Sequence, residues 1–137
     1  MTDAKPPLKA ELIWSDGLRF GASAGHAAIV VDGEGDAGPS PMQLMAFGIA
    51  GCMATDVLTI LQKGRHPITG LRASFSGDRA ETHPRRFTRV SIDFHISGAV
   101  PEDAAARALT LSRDRYCSAW NSVRPDVELV TTLTIVP

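Results

Sequence analysis

The chain has 137 residues, of which 44% are hydrophobic and 21% are charged, and its formal net charge is −1. This size and composition are typical of one globular domain that buries about two-thirds of its unfolded surface. We therefore expect a single domain over residues 1–137. A charge close to zero gives no reason to expect nucleic acid or a membrane as a partner.

The location of the protein is predicted from its apolar segments. The first ten residues, MTDAKPPLKA, lack the cationic start and apolar core of a secretory signal. No apolar run approaches the length of a membrane span, because residues 41–61 include Gln43, Thr55, Asp56 and Thr59. We expect a cytoplasmic protein, and in that reducing compartment a pair of cysteines is either inert or redox-active.

Three short strands are predicted in the first part of the chain. Residues 8–16 alternate apolar and polar side chains, and the Asp16-Gly17 pair is typical of a tight turn. Further strands follow at residues 18–23 and 26–31. The next segment, DGEGDAGPSP, is rich in glycine, proline and aspartate, which predicts a loop.

A long helix is predicted from Ser40 to about Lys63. Ser40 suits the N-cap, Pro41 suits the first helical position, and Gln43 stands where a capping-box partner reaches back. Gly64 ends the helix. The helix is apolar around most of its circumference, which predicts burial against a sheet and against a second subunit.

The rest of the chain completes an α+β pattern. Strands are predicted at residues 71–81 and 89–98, a helix at 102–116, a short turn at 118–123 and a last strand at 126–136. The order is βββ-α-ββ-α-β, so we expect two helices packed on antiparallel sheet, with the central helix buried.

Cys52 and Cys117 are the only cysteines, and with four scattered histidines they make no zinc-binding spacing. We expect no metal and no cofactor. Cys52 lies three turns into the helix, beyond the reach of its positive end, and Asp56 one turn later disfavours a thiolate. Cys52 is therefore either a packing residue or a nucleophile to which a distant part of the chain brings a cation.

Arg19 is the preferred cation, because a guanidinium stays charged when it is partly buried. A solvated strand arginine explains this residue equally well. Cys117 would gain a lowered pKa if it opens a short helix whose backbone amides face the sulfur. Local electrostatics therefore favours Cys117 as the nucleophile. The other possible cation sources are Lys63, Arg72, Arg86 and Arg115.

Several segments together resemble the OsmC/Ohr family, the osmotically inducible protein C and organic hydroperoxide resistance proteins. The resemblance rests on four features: the Ser-Pro helix start, the Gly-Cys on the central helix, the hairpin RAETHPRRFTRVSIDFHISG and the second cysteine in RYCSAWNS. The short OsmC-like branch matches better than the Ohr or OsmC proteins proper.

The resemblance implies an intertwined homodimer and a thiol peroxidase that acts on organic hydroperoxides. The cysteine matching Cys52 would attack the peroxide and become a sulfenic acid. The cysteine matching Cys117 would condense with it to a disulfide, which a lipoyl-type dithiol reduces. This assignment reverses the electrostatic preference. Family enzymes also carry a glutamate after the helix-opening proline to orient the arginine, and Met42 stands there, followed by Gln43.

Two other functions stay open. A non-enzymatic family member would use the same fold to bind a small ligand or to sense oxidants, and the missing glutamate favours it. A hot-dog-like thioesterase also wraps a long apolar helix in sheet, but it gives a cysteine pair no role. Trp14, Phe47 and Trp120 suit either an apolar pocket or core packing.

Overall fold

The computed structural model describes residues 4–137, and its element order confirms the α+β class. The strands are β1 (Glu11–Asp16), β2 (Arg19–Ala24), β3 (Ala27–Asp32), β4 (Ile68–Arg79), β5 (Phe87–Gly98) and β6 (Glu128–Val136). The α-helices are α1 (Pro41–Lys63) and α2 (Glu102–Leu111). A π-helical segment (Ser112–Tyr116) and a 3-10 turn (Trp120–Ser122) follow α2. The chain divides into two compact units, one ending at Met45 and the other comprising Ala46–Pro137.

The first unit is an antiparallel sheet in the order β1-β2-β3. Gly17 adopts a positive φ of 51° in the predicted turn between β1 and β2. The register places Arg19 opposite Asp16 on one side and opposite Asp32 on the other. The pairing of the strands therefore places Arg19 between two aspartates, one on each neighbouring strand.

The start of α1 forms the predicted capping box. The Gln43 backbone N–H donates to Ser40 Oγ (3.2 Å), and the Ser40 backbone N–H donates to Gln43 Oε1 (2.9 Å). Gln43 is thus occupied at the helix start, as its capping role predicts.

The second unit contains the sheet β4-β5-β6, and one of its pairings corrects the expected antiparallel sheet. Strands β4 and β5 are antiparallel, whereas β6 is parallel to β5. Residues 99–127 connect β5 to β6 and include α2, so the chain crosses back before it enters the sheet again. A crossover of this length is what a parallel pair requires.

The buried side chains of the second unit include one stripe of α1 and one face of β5. Ile49, Met53, Val57 and Leu61 recur every fourth residue of α1 and are 0–2% exposed. Val90, Ile92, Phe94 and Ile96 alternate along β5 and are equally buried.

The burial of α1 against a second subunit stays a prediction, since part of the helix is exposed in the single chain. Phe47 is 66% exposed and Leu58 is 37% exposed. The expectation that no apolar segment has the length of a membrane span is wrong. α1 has that length and composition, with a mean hydropathy of 1.9 over its most apolar window. A long core helix of a soluble protein has the same properties, so this is weak evidence for a membrane span.

The second helix is shorter than predicted. It ends at Leu111, and the chain continues as the π-helical segment up to Tyr116 instead of as α-helix. The spacing of apolar residues does not distinguish an α-helix from this π-helical segment, because the two differ only by one extra residue in a single turn. Such turns occur often at functional sites.

Candidate functional site

Two distant cysteines meet in the second unit. The sulfur atoms of Cys52 and Cys117 and a carboxylate oxygen of Asp56 all lie within 4.8 Å of one another. Both cysteines are free thiols; Cys117 is fully buried and Cys52 is half-buried. The structure therefore brings together the two predicted reactive thiols, and their catalytic roles stay predictions.

Helix geometry places Asp56 at the thiols. Asp56 lies four residues after Cys52 on α1, so both side chains share one face of the helix. The Ser112 hydroxyl donates a hydrogen bond of 2.8 Å to Asp56 Oδ2. Because Ser112 is fully buried, this bond is shielded from water and fixes the orientation of the carboxylate.

Ser112 is a site residue that was not predicted from the sequence. Its hydroxyl follows the buried Ala105, Ala108 and Leu109 at helical spacing on the apolar face of α2. A polar residue on a buried helix face requires a hydrogen-bond partner, and that was the available signal. The partner, Asp56, lies 56 residues away in sequence.

The π-helical segment presents Cys117 to the site. The Cys117 backbone N–H donates to the Ser112 carbonyl (2.7 Å), which closes the wide turn. The chain then enters the 3-10 turn, where the backbone N–H of Trp120 donates to Cys117 Sγ (3.3 Å). The predicted amide contact to this sulfur is therefore present.

The predicted lowering of the Cys117 pKa is wrong. Burial raises the pKa of the Cys117 thiol to about 11, and this effect exceeds the opposing one of the Trp120 amide. Cys52 and the carboxylate of Asp56 are smaller causes of the same rise, which the value of about 11 already includes. Cys117 is consequently a protonated thiol at neutral pH, and local electrostatics does not favour it as the attacking nucleophile.

Arg19 lies in the first unit, among three carboxylates. Its Nη1 is 3.2 Å from Asp16 Oδ2, its Nε is 3.6 Å from Asp32 Oδ2, and its Nη2 is 3.9 Å from Asp36 Oδ2. Arg19 is therefore more constrained than a solvated strand arginine, with a side chain that is 43% exposed. Its pairing with a cysteine thiolate stays a prediction.

Asp32 is the buried member of this acidic group. Its two carboxylate oxygens accept the backbone N–H groups of Ala37 and Glu34, both at 2.9 Å. These bonds, with a smaller contribution from the Arg19 charge, lower the pKa of Asp32. An ionised carboxylate thus lies beside Arg19 at neutral pH.

The three aromatic residues considered for a pocket lie in different surroundings. Trp14 is 63% exposed and Phe47 is 66% exposed, so core packing is wrong for both. Trp120 is half-buried and lines a cavity of about 560 Å³ with Arg113, Asn121 and Arg124 among its neighbours.

The paired thiols and Asp56 form a group of potential metal ligands. Among residues 4–137, Cys52, Asp56 and Cys117 are the one group of three cysteine, histidine or acidic donors close enough to share an ion. The spacing of cysteines and histidines in the sequence did not predict this group, because Cys117 comes from a different element than Cys52 and Asp56.

The fold and the paired thiols define a small α+β protein with a two-cysteine site between a long helix and the segment after the second helix. The chain belongs to the OsmC family: the family described as OsmC-like protein matches residues 33–132. This family is related to oxidative stress.

Individual relatives agree with this assignment. The chain is 37% identical to protein YhfA of Escherichia coli strain K12, over 94% of this chain and 98% of YhfA. An OsmC-like protein from Mycoplasma pneumoniae has a TM-score of 0.85 at 15% identity, covering 99% of this chain and 100% of that one. The organic hydroperoxide resistance protein OhrB of Bacillus subtilis has a TM-score of 0.62 at 15% identity, covering 93% and 98%. The two structural likenesses show a shared fold.

Proposed function

We propose that the protein is a cysteine-based peroxidase that reduces organic hydroperoxides in defence against oxidative stress. The observation that carries the proposal is the approach of the Cys52 and Cys117 sulfurs to within 4.8 Å. Two free thiols at this separation need only a small side-chain movement to form a disulfide, whose S–S bond is about 2.05 Å long.

The first step is the attack of the Cys52 thiolate on the terminal oxygen of the hydroperoxide. The O–O bond breaks, the alkoxide takes up a proton and leaves as an alcohol, and Cys52 becomes a sulfenic acid. The half-buried position of Cys52 supports this order, since a peroxide reaches it more readily than the fully buried Cys117.

The second step joins the two sulfurs. Cys117 attacks the sulfenic sulfur of Cys52, an S–S bond forms, the S–O bond breaks, and the hydroxide leaves as water. Because the pKa of Cys117 is about 11, its proton has to be removed by a base. Asp56 lies within 4.8 Å of both sulfurs and transfers this proton to the departing hydroxide. A lipoyl-type dithiol then reduces the disulfide and is itself oxidised to a disulfide.

The cation of the first step is Arg19, which pairs with the Cys52 thiolate in this scheme. The family glutamate orients that arginine, and Asp32 takes its place here. The 3.6 Å separation of Arg19 Nε from Asp32 and the burial of Asp32 support this substitution. Asp32 acts through Arg19 and is a positioning residue.

A homodimer in the cytoplasm completes the proposal. The exposed apolar side chains of α1, including Phe47 and Leu58, support a subunit interface along that helix. Neither nucleic acid nor a membrane is needed as a partner.

The test is a thiol count after oxidation. The reduced protein is mixed with one equivalent of cumene hydroperoxide, unfolded in guanidinium so that the buried Cys117 is also accessible, and its free thiols are measured with DTNB; we expect the loss of two thiols per chain. The Cys117→Ser variant is expected to give a sulfenic acid that dimedone traps, whereas the Cys52→Ser variant gives none. Unchanged thiols in the wild type would contradict the proposal and favour the small-ligand-binding alternative, which Met42 in place of the glutamate supports.

A further inference from the structure

We propose that the reduced protein binds a thiophilic divalent metal ion, with Zn²⁺ as the representative, through Cys52, Asp56 and Cys117. The three donor atoms converge within 4.8 Å of one another. Two of them come from one face of α1, and the third comes from the chain just after the π-helical segment. Thiolate sulfur and carboxylate oxygen are both ordinary zinc ligands.

The spacing of the donors suits a tetrahedral ion. Zinc–sulfur bonds of about 2.3 Å and zinc–oxygen bonds of about 2.1 Å place neighbouring ligand atoms roughly 3.6–3.8 Å apart. The observed limit of 4.8 Å exceeds this by about one ångström, which small rotations about the χ angles of the two cysteines remove. Three protein donors leave a fourth position for water, as in zinc sites that exchange a ligand.

The surroundings of the donors resemble the outer shell of a metal site. The buried Ser112 hydroxyl donates to Asp56 Oδ2, and the Trp120 N–H donates to Cys117 Sγ. Hydrogen bonds of this kind orient ligating groups and stabilise their charged forms. These two bonds hold Asp56 and Cys117 in place, so an ion meets oriented donors.

Charge and proton balance are compatible with binding. Two thiolates and one carboxylate carry three negative charges, and a divalent ion reduces the total to one. Binding transfers the two thiol protons to water, so affinity rises with pH. A zinc ion thereby stabilises the Cys117 thiolate, which the buried site otherwise disfavours.

The effect of a hydroperoxide on the bound metal ion rests on the proposed peroxidase function. A hydroperoxide that oxidises both metal-bound sulfurs to the disulfide takes up two protons and yields an alcohol, water and the free metal ion. The site would then store a metal ion in the reduced state and release it on oxidation. Metal binding itself requires only reduced thiols and no peroxide.

The experiment uses the reduced full-length protein, freed of metal by a chelator and kept without peroxide. Zn²⁺ is titrated in competition with a chromophoric chelator, and Co²⁺ is added separately as a spectroscopic probe. We expect one equivalent of Zn²⁺ per chain, loss of DTNB reactivity at the half-buried Cys52, and a thiolate-to-cobalt charge-transfer absorption.

Matched variants identify the ligands. Cys52→Ser, Cys117→Ser and Asp56→Asn are expected to abolish stoichiometric binding or to weaken it strongly. Ser112→Ala is expected to weaken it about 10- to 100-fold, as for other groups that orient a ligand. Asp114→Asn, an exposed acid in the same π-helical segment, is the control and leaves binding unchanged. Wild-type protein with both thiols chemically blocked is a second control that needs no substitution, and it should bind no zinc.

Zinc binding that persists after the thiols are blocked, a cobalt spectrum without charge transfer, or no binding at micromolar Zn²⁺ would overturn the inference. The two proposals also fail separately. A protein that binds zinc but keeps its thiols when hydroperoxide is added lacks the peroxidase function, whereas one that oxidises but binds no zinc lacks the metal site.

Discussion

The thiol of Cys117 is chemically unlike an exposed cysteine because it is fully buried beside a carboxylate. Its pKa is raised from the ordinary value of 9.0 to about 11. In metal-free Cys52→Ser protein, we expect alkylation of Cys117 by iodoacetamide to accelerate about tenfold per pH unit from pH 8 towards pH 11. An exposed thiol in the urea-unfolded variant should instead level off near pH 9. A plateau at pH 9 in the folded variant would contradict the raised pKa.

Asp56 is the one carboxylate among residues 4–137 that shares the site with both sulfurs. Replacing it with asparagine removes the proposed base for disulfide formation but leaves Cys52 in place. In Asp56→Asn we expect the sulfenic acid to form and then to persist about 100-fold longer than in the wild type. Dimedone trapping at timed intervals measures this lifetime, and Asp114→Asn is the control. Equal lifetimes in Asp56→Asn and the wild type would remove Asp56 from the mechanism.

Two of the three acidic neighbours of Arg19 differ strongly in burial, which allows a matched comparison. Asp32 is 2% exposed, whereas the Asp36 side chain is 82% exposed at 3.9 Å from the guanidinium. We expect Asp32→Asn to slow sulfenic acid formation at Cys52 and Asp36→Asn to leave it unchanged. Stopped-flow oxidation of each variant gives the rates, and circular dichroism checks the fold. A similar rate in both variants would mean that Asp32 does not position Arg19.

At the level of single residues, the sequence revealed those parts of the site that are local in the chain. Asp56 was expected near Cys52 because the two are one helical turn apart. The net pKa of Cys117 was not predictable, since it depends on how deeply tertiary packing buries the sulfur. The Ser112–Asp56 bond joins two elements 56 residues apart, and no local pattern contains such a contact.

The stripe of α1 that faces the core should account for most of the contribution of this helix to stability. Met53 is 0% exposed at the centre of the stripe. We expect Met53→Ala to lower the free energy of unfolding by about 2–5 kcal/mol, because it leaves a cavity in a packed core. Gln62→Ala, on the exposed side, should change it by less than about 0.5 kcal/mol. Urea unfolding measures both, and comparable losses would show that the stripe is not the core.

Among the elements, those with strong local signals were predicted well and those decided by topology were not. The capping box at Ser40 and Gln43 follows from side-chain chemistry within one turn. The alternation of β5 predicts a strand and its buried face, but the direction of β6 depends on the crossover that precedes it. The π-helical segment likewise differs from the predicted α-helix by a widened turn that apolar spacing does not encode.

Residues 4–137 expose large apolar side chains on both β1 and α1. Leu12, Ile13 and Trp14 of β1 are more than half exposed, and Phe47 of α1 is 66% exposed. Exposed apolar surfaces are typical of interaction sites, because a partner that covers them removes apolar area from water, which is favourable. The apolar circumference of α1 had predicted a second subunit, and the exposure of Phe47 gives that prediction a particular residue to test.

Phe47 offers a direct test of the proposed homodimer. We expect sedimentation equilibrium of the wild type at micromolar concentration to give twice the chain mass of 14.6 kDa. In Phe47→Glu an unpaired charge would be buried at the interface, so we expect a shift to the single-chain mass. Gln62→Glu adds the same charge to an exposed position of the same helix and should remain dimeric. If the wild type sediments as a single chain, α1 does not form the proposed interface, and the exposed apolar surface requires another explanation.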